Sequence, residues 1–170
     1  MPEGCGVSNY DHAALYALKT ADGSRVWQVD SIPFDSGALL ANGALYLSSA
    51  PSGPSAGGDL TAYGTRDGSS LWRARGAGGS LWVFGGMLYT SILGVGLEAL
   101  RPANGSPKWR YQTSDAAFLT ASANDILYGG LSYRITSASW GRGIVALHTS
   151  NGRLPWRVQI GMSEDFPLVG

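Results

Sequence analysis

One thirteen-residue pattern occurs four times in this chain and constrains its fold more than any other feature, at residues 15–27, 60–72, 97–109 and 144–156. Each copy has Leu or Ile, Ala two positions later, Asp-Gly or Asn-Gly after four variable residues, and Trp four positions after the Gly. The constrained residues are Ala17, Asp22, Gly23, Trp27, Ala62, Asp67, Gly68, Trp72, Ala99, Asn104, Gly105, Trp109, Ala146, Asn151, Gly152 and Trp156. A pattern that recurs at intervals of 37 to 47 residues predicts that one supersecondary unit is stacked several times.

Each copy predicts a β-hairpin. Asp-Gly and Asn-Gly pairs supply the positive-φ residues of a tight reversal. The Leu or Ile and the Ala two positions later face one side of the strand before the turn, and the Trp lies on the strand after it. If Gly105 has a positive φ, Asn should be tolerated there better than Val.

Two further strands precede the later hairpins. A segment with a Leu-Tyr step recurs at 43–49, 86–92 and 125–131, and a weaker apolar run lies ahead of it at 37–40, 80–84 and 117–120. The pattern tryptophans are 45, 37 and 47 residues apart. Units of four short strands at this spacing are typical of propeller blades, and no segment sustains a helical period. The predicted fold class is therefore all-β, a β-propeller of four-stranded antiparallel blades.

From its Ala to its Trp, the pattern resembles the tryptophan-docking motif of the PQQ-type (pyrroloquinoline quinone) repeats. These repeats form the propellers of quinoprotein alcohol dehydrogenases and of the outer-membrane β-barrel assembly lipoprotein. The resemblance covers nearly the whole chain, although Lys19 and its equivalents stand where the family often has Asp or Asn. It implies that the pattern joins the third and fourth strands of a blade and that each Trp packs on the neighbouring blade.

The number of blades leaves the ring incomplete. Residues 1–170 are interpreted as one propeller segment whose blades end near residues 30, 75, 112 and 159, with both termini inside a blade. That is about three and a half blades, whereas the resemblance implies rings of about seven or eight. Three arrangements stay open: a segment of a longer propeller, a half-ring that closes as a homodimer, and a small closed ring.

Charge and hydropathy limit the classes of molecule that this chain is expected to bind. Lys plus Arg (12) balance Asp plus Glu (12), so the net field does not favour nucleic acid or an anionic membrane surface. No apolar stretch is long enough to predict membrane insertion. The N-terminus shows no signal-peptide pattern, while the family resemblance implies an extracytoplasmic or cell-envelope location.

The residues predict no catalytic, cofactor-binding or metal site. Cys5 is the one cysteine, and with only His12 and His148 beside it the chain cannot assemble a Cys/His zinc site. The acidic residues outside the turns are scattered and are interpreted as solvated strand ends. Resemblance to a quinoprotein dehydrogenase would imply a vicinal Cys-Cys pair, calcium ligands and a catalytic Asp, and the second cysteine is missing from this sequence.

One loop predicts a contact surface. Trp140 lies in a long Ser-rich segment with Arg134 and Arg142 nearby, and Trp and Arg are enriched at binding hot spots. The leading hypothesis is a non-catalytic scaffold that binds another protein or the remaining propeller blades. The alternative is a segment of a PQQ- and calcium-dependent dehydrogenase whose active-site residues lie outside this chain.

Overall fold

The chain folds into a row of antiparallel β-sheets. The computed structural model describes residues 13–32, 37–49, 58–92, 94–134 and 140–162, and in these ranges the chain forms fourteen strands and no helix. The predicted all-β class is confirmed. Cys5 and His12 lie outside the described residues.

Four sheets, here called blades 1 to 4, follow one another along the chain. Blade 1 contains β1 (Ala13–Leu18) and β2 (Arg25–Ile32). Blade 2 contains β3 (Gly37–Ala41), β4 (Ala44–Ser48), β5 (Gly58–Gly64) and β6 (Ser70–Gly78). Blade 3 contains β7 (Ser80–Phe84), β8 (Met87–Ile92), β9 (Gly96–Leu100) and β10 (Pro107–Gln112). Blade 4 contains β11 (Ala116–Ala123), β12 (Ile126–Arg134), β13 (Trp140–His148) and β14 (Trp156–Met162).

Strand order within the blades is that of a propeller. In blades 2, 3 and 4 each strand pairs with the next strand in sequence, from first to fourth. The first strands also contact one another between blades, β3 with β7 and β7 with β11. Because strand direction alternates, the pattern turns lie at one end of the blades, here called the turn face. The other end of the blades, here called the loop face, carries the ends of the second strands, the starts of the third strands and the connections from β6 to β7 and from β10 to β11.

The core lies between the blades. Tyr46, Leu60 and Ala62 of blade 2 pack with Leu88 and Leu100 of blade 3, and all five are at most 1% exposed. A second cluster joins blades 3 and 4 and contains Tyr89, Leu97, Ala99, Trp109, Ala117, Leu119, Leu127, Leu131, Val145 and Leu147. Full burial of one large apolar side chain contributes about 1.5–3 kcal/mol, so the contacts between blades are the main source of stability.

The pattern turns differ in detail from the predicted tight reversal. Each is a four-residue loop, and in blade 1 the Lys19 amide donates to the Ser24 carbonyl while the Gly23 amide donates to the Lys19 carbonyl. The pattern glycines have φ between +68° and +73°. The preceding Asp or Asn does not share the positive φ; in blade 1 the Asp22 carboxylate instead accepts a 2.9 Å hydrogen bond from the Ser24 amide. The side chain thus closes the turn that a second left-handed residue was expected to close.

Candidate functional site

Three of the pattern tryptophans reach across to the turn of the following blade. In each case the indole Nε1–H donates to a backbone carbonyl three residues after the next pattern Ala. The pairs are Trp27 with Thr65, Trp72 with Pro102, and Trp109 with Thr149, at 2.9, 2.8 and 2.9 Å. We call this contact, together with the glycine beneath the ring, the interlock.

The glycine of each interlock is needed because the indole ring lies directly on it. A Cβ on Gly105 would be 2.5 Å from Cε3 of Trp72, and a Cβ on Gly152 would be 2.5 Å from Cε3 of Trp109. Gly68 is covered by Trp27 in the same way, at 2.8 Å. The pattern Gly therefore has two roles, since it takes the positive φ and also leaves room for the neighbouring Trp.

In blades 2, 3 and 4 the pattern tryptophan is supported by a tyrosine on its own blade. Tyr89, Ala99 and Trp109 are direct neighbours across β8, β9 and β10, and the two rings lie 5.8 Å apart over the small Ala. Tyr46–Trp72 and Tyr128–Trp156 repeat the contact at 5.8 and 6.1 Å. Burial raises the pKa of the Tyr89 hydroxyl. The sequence signal for these tyrosine–tryptophan contacts is the recurring Leu-Tyr step, which the sequence analysis assigned only to a strand.

An arginine directly after the pattern Trp holds a carboxylate in blades 2, 3 and 4. Arg110 donates to Glu98 at 2.8 Å, Arg157 donates to Asp115 at 2.9 Å, and Arg73 pairs with Asp59. Glu98 is only 3% exposed, so its interpretation as a solvated strand end was wrong. The guanidinium from the adjacent strand satisfies the buried charge, as buried carboxylates require. The repeated Trp-Arg step in the sequence could have revealed these pairs.

Asp59 gathers several donors on its carboxylate. Burial acts to raise the pKa of Asp59. Hydrogen bonds from Arg73 and from the Gly76 amide act to lower it and outweigh burial, so the pKa lies below the ordinary 3.8. The Arg73 Nε donates at 2.8 Å and the Gly76 amide at 3.1 Å. The ionised carboxylate thus ties the start of β5 to β6.

A lowered pKa predicts a pH dependence of stability. A carboxyl with a folded pKa below its unfolded value stabilises the fold above that unfolded value, and this contribution is lost as the pH falls through the folded pKa. We expect the free energy of unfolding of Asp59→Asn to decrease less than that of the unmodified chain between about pH 5 and about pH 2. Urea unfolding at a series of pH values measures this, and parallel profiles for the two proteins would refute it.

A hollow on the loop face of blade 4 is lined in part by Trp140, the aromatic residue that the sequence predicts to be a contact residue. Its volume is about 460 Å³, and Trp140, Tyr133, Ser132, Asp115 and Gly94 line it together with Ser114 and Ala116. Trp140 is 55% exposed. The residues come from β11, β12, β13, the connection between blades 3 and 4, and the β8–β9 loop, so the hollow exists only when these blades are packed together.

The charges beside the hollow are held in a fixed arrangement. Arg157 lies over the Tyr133 ring, with its guanidinium carbon 5.7 Å from the centroid, while it also pairs with Asp115. Tyr133 in turn packs on Gly141, where a Cβ would be 2.4 Å from the ring. A cation above an aromatic ring and beside a carboxylate offers apolar, cationic and anionic groups within one site.

The other two predicted contact residues lie on the same strands. Arg134 is the register partner of Trp140 on β12, and Arg142 lies two residues further along β13 opposite Ser132. Arg142 is exposed. His148 is exposed next to the turn of blade 4, at the opposite end of β13 from Trp140.

Within the described ranges, no three His, Cys, Asp or Glu side chains come together as metal ligands. Among the residues that the structure describes, there is no helix long and apolar enough to cross a membrane.

Comparison with protein families assigns the repeat. The profile described as "Outer membrane protein assembly factor BamB", a PQQ-type repeat family, matches residues 11–165. The chain belongs to this family. The predicted family resemblance is confirmed. A separate search of curated protein sequences gives no significant match.

Solved structures of the same fold include enzymes and an assembly factor. A europium-containing methanol dehydrogenase superposes with a TM-score of 0.67 at 15% identity over 88% of this chain and 38% of its own. A quinohemoprotein alcohol dehydrogenase from Pseudomonas putida HK5 gives 0.66 at 15% identity over 88% of this chain and 31% of its own. BamB from Moraxella catarrhalis gives 0.52 at 13% identity over 88% of this chain and 59% of its own.

The chain spans about a third of the length of these two dehydrogenases and 59% of the BamB chain. At this level of identity the likeness establishes the propeller fold alone.

Proposed function

We propose that this chain is a non-catalytic propeller segment that binds a protein partner in the cell envelope. The observation that supports this most is the hollow on the loop face, where the half-exposed Trp140 indole lies beside Tyr133 and the Arg157–Asp115 pair. The location follows the name of the family, an outer membrane protein assembly factor.

The chemistry of the hollow suits a peptide segment of a protein. Aromatic and arginine side chains contribute most of the binding energy at protein interfaces, and rim charges fix the orientation of the partner. An apolar side chain of the partner would lie against Trp140, and its backbone or a charged side chain would meet Asp115 or Arg142.

Site-specific crosslinking tests the proposal. A photoreactive phenylalanine analogue replaces Trp140 in cells that make the chain, and in the control it replaces Leu71, which is 53% exposed next to the turn face. We expect a discrete crosslinked protein from position 140, none from position 71, and loss of the product when Arg142→Glu is added. No product at 140, or equal products at both positions, would refute the assignment of the hollow.

Absorbance and activity measurements test the alternative that the chain is a segment of a dehydrogenase. The purified chain is mixed with PQQ and Ca²⁺ and its absorbance spectrum and dye-linked alcohol oxidation are measured. A non-catalytic scaffold gives neither a bound-quinone spectrum nor turnover, whereas either signal would overturn the non-catalytic part of the proposal.

A further inference from the structure

A small cavity lies on the turn face between blades 3 and 4, at the opposite end of the strands from the Trp140 hollow. Its volume is about 240 Å³. The β7–β8 hairpin and Lys108 of blade 3 form one wall, and Ser122, Asp125 and Ser150 of blade 4 form the other. Both blades have all four of their strands, so the cavity belongs to an inner boundary of the propeller.

The cavity carries polar groups that the equivalent boundary between blades 2 and 3 lacks. Lys108 precedes the pattern Trp of blade 3, and Leu71 has that position in blade 2. Three polar residues of blade 4 likewise replace small or apolar residues of blade 3. In matching order, Ser122, Asp125 and Ser150 replace Val83, Gly86 and Ala103. Because the boundary between blades 2 and 3 packs without these polar groups, they indicate a role other than folding.

Asp125 reaches the rim of the cavity from a backbone conformation that favours glycine. Its φ is +60°, and the equivalent residues of blades 2 and 3 are Gly43 and Gly86, with φ of +72° and +73°. Residues that keep a sparsely populated backbone conformation cluster at ligand sites. Among the described residues, neither the Asp125 carboxylate nor the Lys108 ammonium has a hydrogen-bond or ion-pair partner. One anion and one cation are thus left at the rim.

The Tyr89 hydroxyl is a buried polar group at the base of the cavity. Tyr89 is 1% exposed and lines the cavity. At the same position of blade 2, burial raises the pKa of Tyr46, and a hydrogen bond from the Asn42 side chain acts against that rise. Gly85 stands where blade 2 has Asn42, so in the described part of the chain the Tyr89 hydroxyl has no such partner, and burial alone raises its pKa. An unpaired buried hydroxyl costs free energy, which a polar ligand group would recover.

We propose that this cavity binds a free α-amino acid whose side chain ends in a polar group. The ammonium of the ligand pairs with Asp125 and its carboxylate with Lys108. Its side chain passes Phe84 and Met87, and the polar end reaches the Tyr89 hydroxyl. A volume of 240 Å³ holds about eight non-hydrogen atoms at the roughly 30 Å³ that one water molecule occupies in the liquid, which is the size of an amino acid. This inference does not depend on a partner at the Trp140 hollow.

NMR titration of the ¹⁵N-labelled chain tests the class of ligand. We expect L-asparagine to shift the amide signals of Gly85, Asp125 and Ser150 with a Kd of about 1 mM or lower. L-leucine has the same shape with an apolar end and should bind at least about threefold more weakly. N-acetyl-L-asparagine and L-asparaginamide, which each lack one charge as a chain terminus does, should bind at least about fivefold more weakly. No saturable shift at about 20 mM L-asparagine, or equal affinity for the analogues with one charge, would overturn the proposal.

Four variants test the residues of the cavity. Lys108→Leu and Asp125→Gly introduce the residues that other blades have at these positions, so each should keep the fold by circular dichroism and raise the Kd at least about fivefold. Tyr89→Phe keeps the ring and should remove the preference for L-asparagine over L-leucine, which a purely structural role would not change. Arg66→Leu removes an exposed cation from the turn of blade 2 and, as the control, should leave the Kd unchanged. An unchanged Kd in the Lys108 and Asp125 variants, or an equal rise in the Arg66 variant, would contradict the proposal.

Discussion

Trp109→Ala should lower the free energy of unfolding by about 3–5 kcal/mol, the range for truncation of a buried aromatic side chain. Trp109 is 8% exposed, packs with Tyr89 at 5.8 Å and donates to the Thr149 carbonyl at 2.9 Å. The substitution leaves a cavity between blades 3 and 4 and removes the hydrogen bond between them. Denaturant unfolding followed by circular dichroism measures the loss.

The same substitution in the last blade is the matched control. Trp156 has the same place in the pattern and the same tyrosine neighbour, but it is 44% exposed. Measured on the monomer, Trp156→Ala should cost about 1 kcal/mol or less. Equal losses at the two positions would show that the contact of Trp109 with the following blade adds nothing to the free energy of unfolding. That result would refute the interlock.

Gly105→Val should destabilise the chain by about 3 kcal/mol or more, because it combines a strained positive φ with a steric clash. Gly105 has φ +68°, and its Cβ would lie 2.5 Å from the Trp72 ring. The structure changes the expectation that Asn is better tolerated there. Asn adopts a positive φ more easily than Val, but its Cβ meets the same ring atoms, so Gly105→Asn should be nearly as damaging.

Gly23 separates the two causes. Its φ is +70° and its Cβ position is open, so Gly23→Asn meets only the backbone preference and should cost about 1 kcal/mol or less. The free energies of unfolding of the Asn variants at positions 23 and 105 are compared directly. A cost at position 23 as large as that at position 105 would assign the glycine requirement to φ alone.

The repeat in the sequence predicted most of the fold because its spacing reflects local chemistry. The Asp-Gly and Asn-Gly turns and the Leu-Tyr step mark the strands at nearly their observed bounds. The small residue at the pattern Ala position is explained by its neighbours, since Ala99 lies between the Tyr89 and Trp109 rings in register. Such features depend on residues close in sequence, and a periodic pattern is sufficient to predict them.

The candidate site was less predictable because it depends on register between distant segments. The Arg157–Asp115 pair joins residues 42 positions apart, and no local pattern specifies which carboxylate an arginine will meet. The hollow at Trp140 combines loops of two blades, so the exposed indole was predicted but its neighbours Tyr133 and Gly94 were not. The role of Asp22 in closing its turn was missed because Asp-Gly suits both turn geometries.

Hydrogen exchange of the indole protons tests the interlock most directly. Proton NMR in deuterated solvent resolves the Nε1–H signals, and Trp→Phe substitution at each position assigns them. The interlock predicts that the Trp27, Trp72 and Trp109 indole protons all exchange at least about 10-fold more slowly than a free indole, with Trp109 protected up to global unfolding. Exchange of all three at the free-indole rate, in a chain that is folded by circular dichroism, would contradict the interlock.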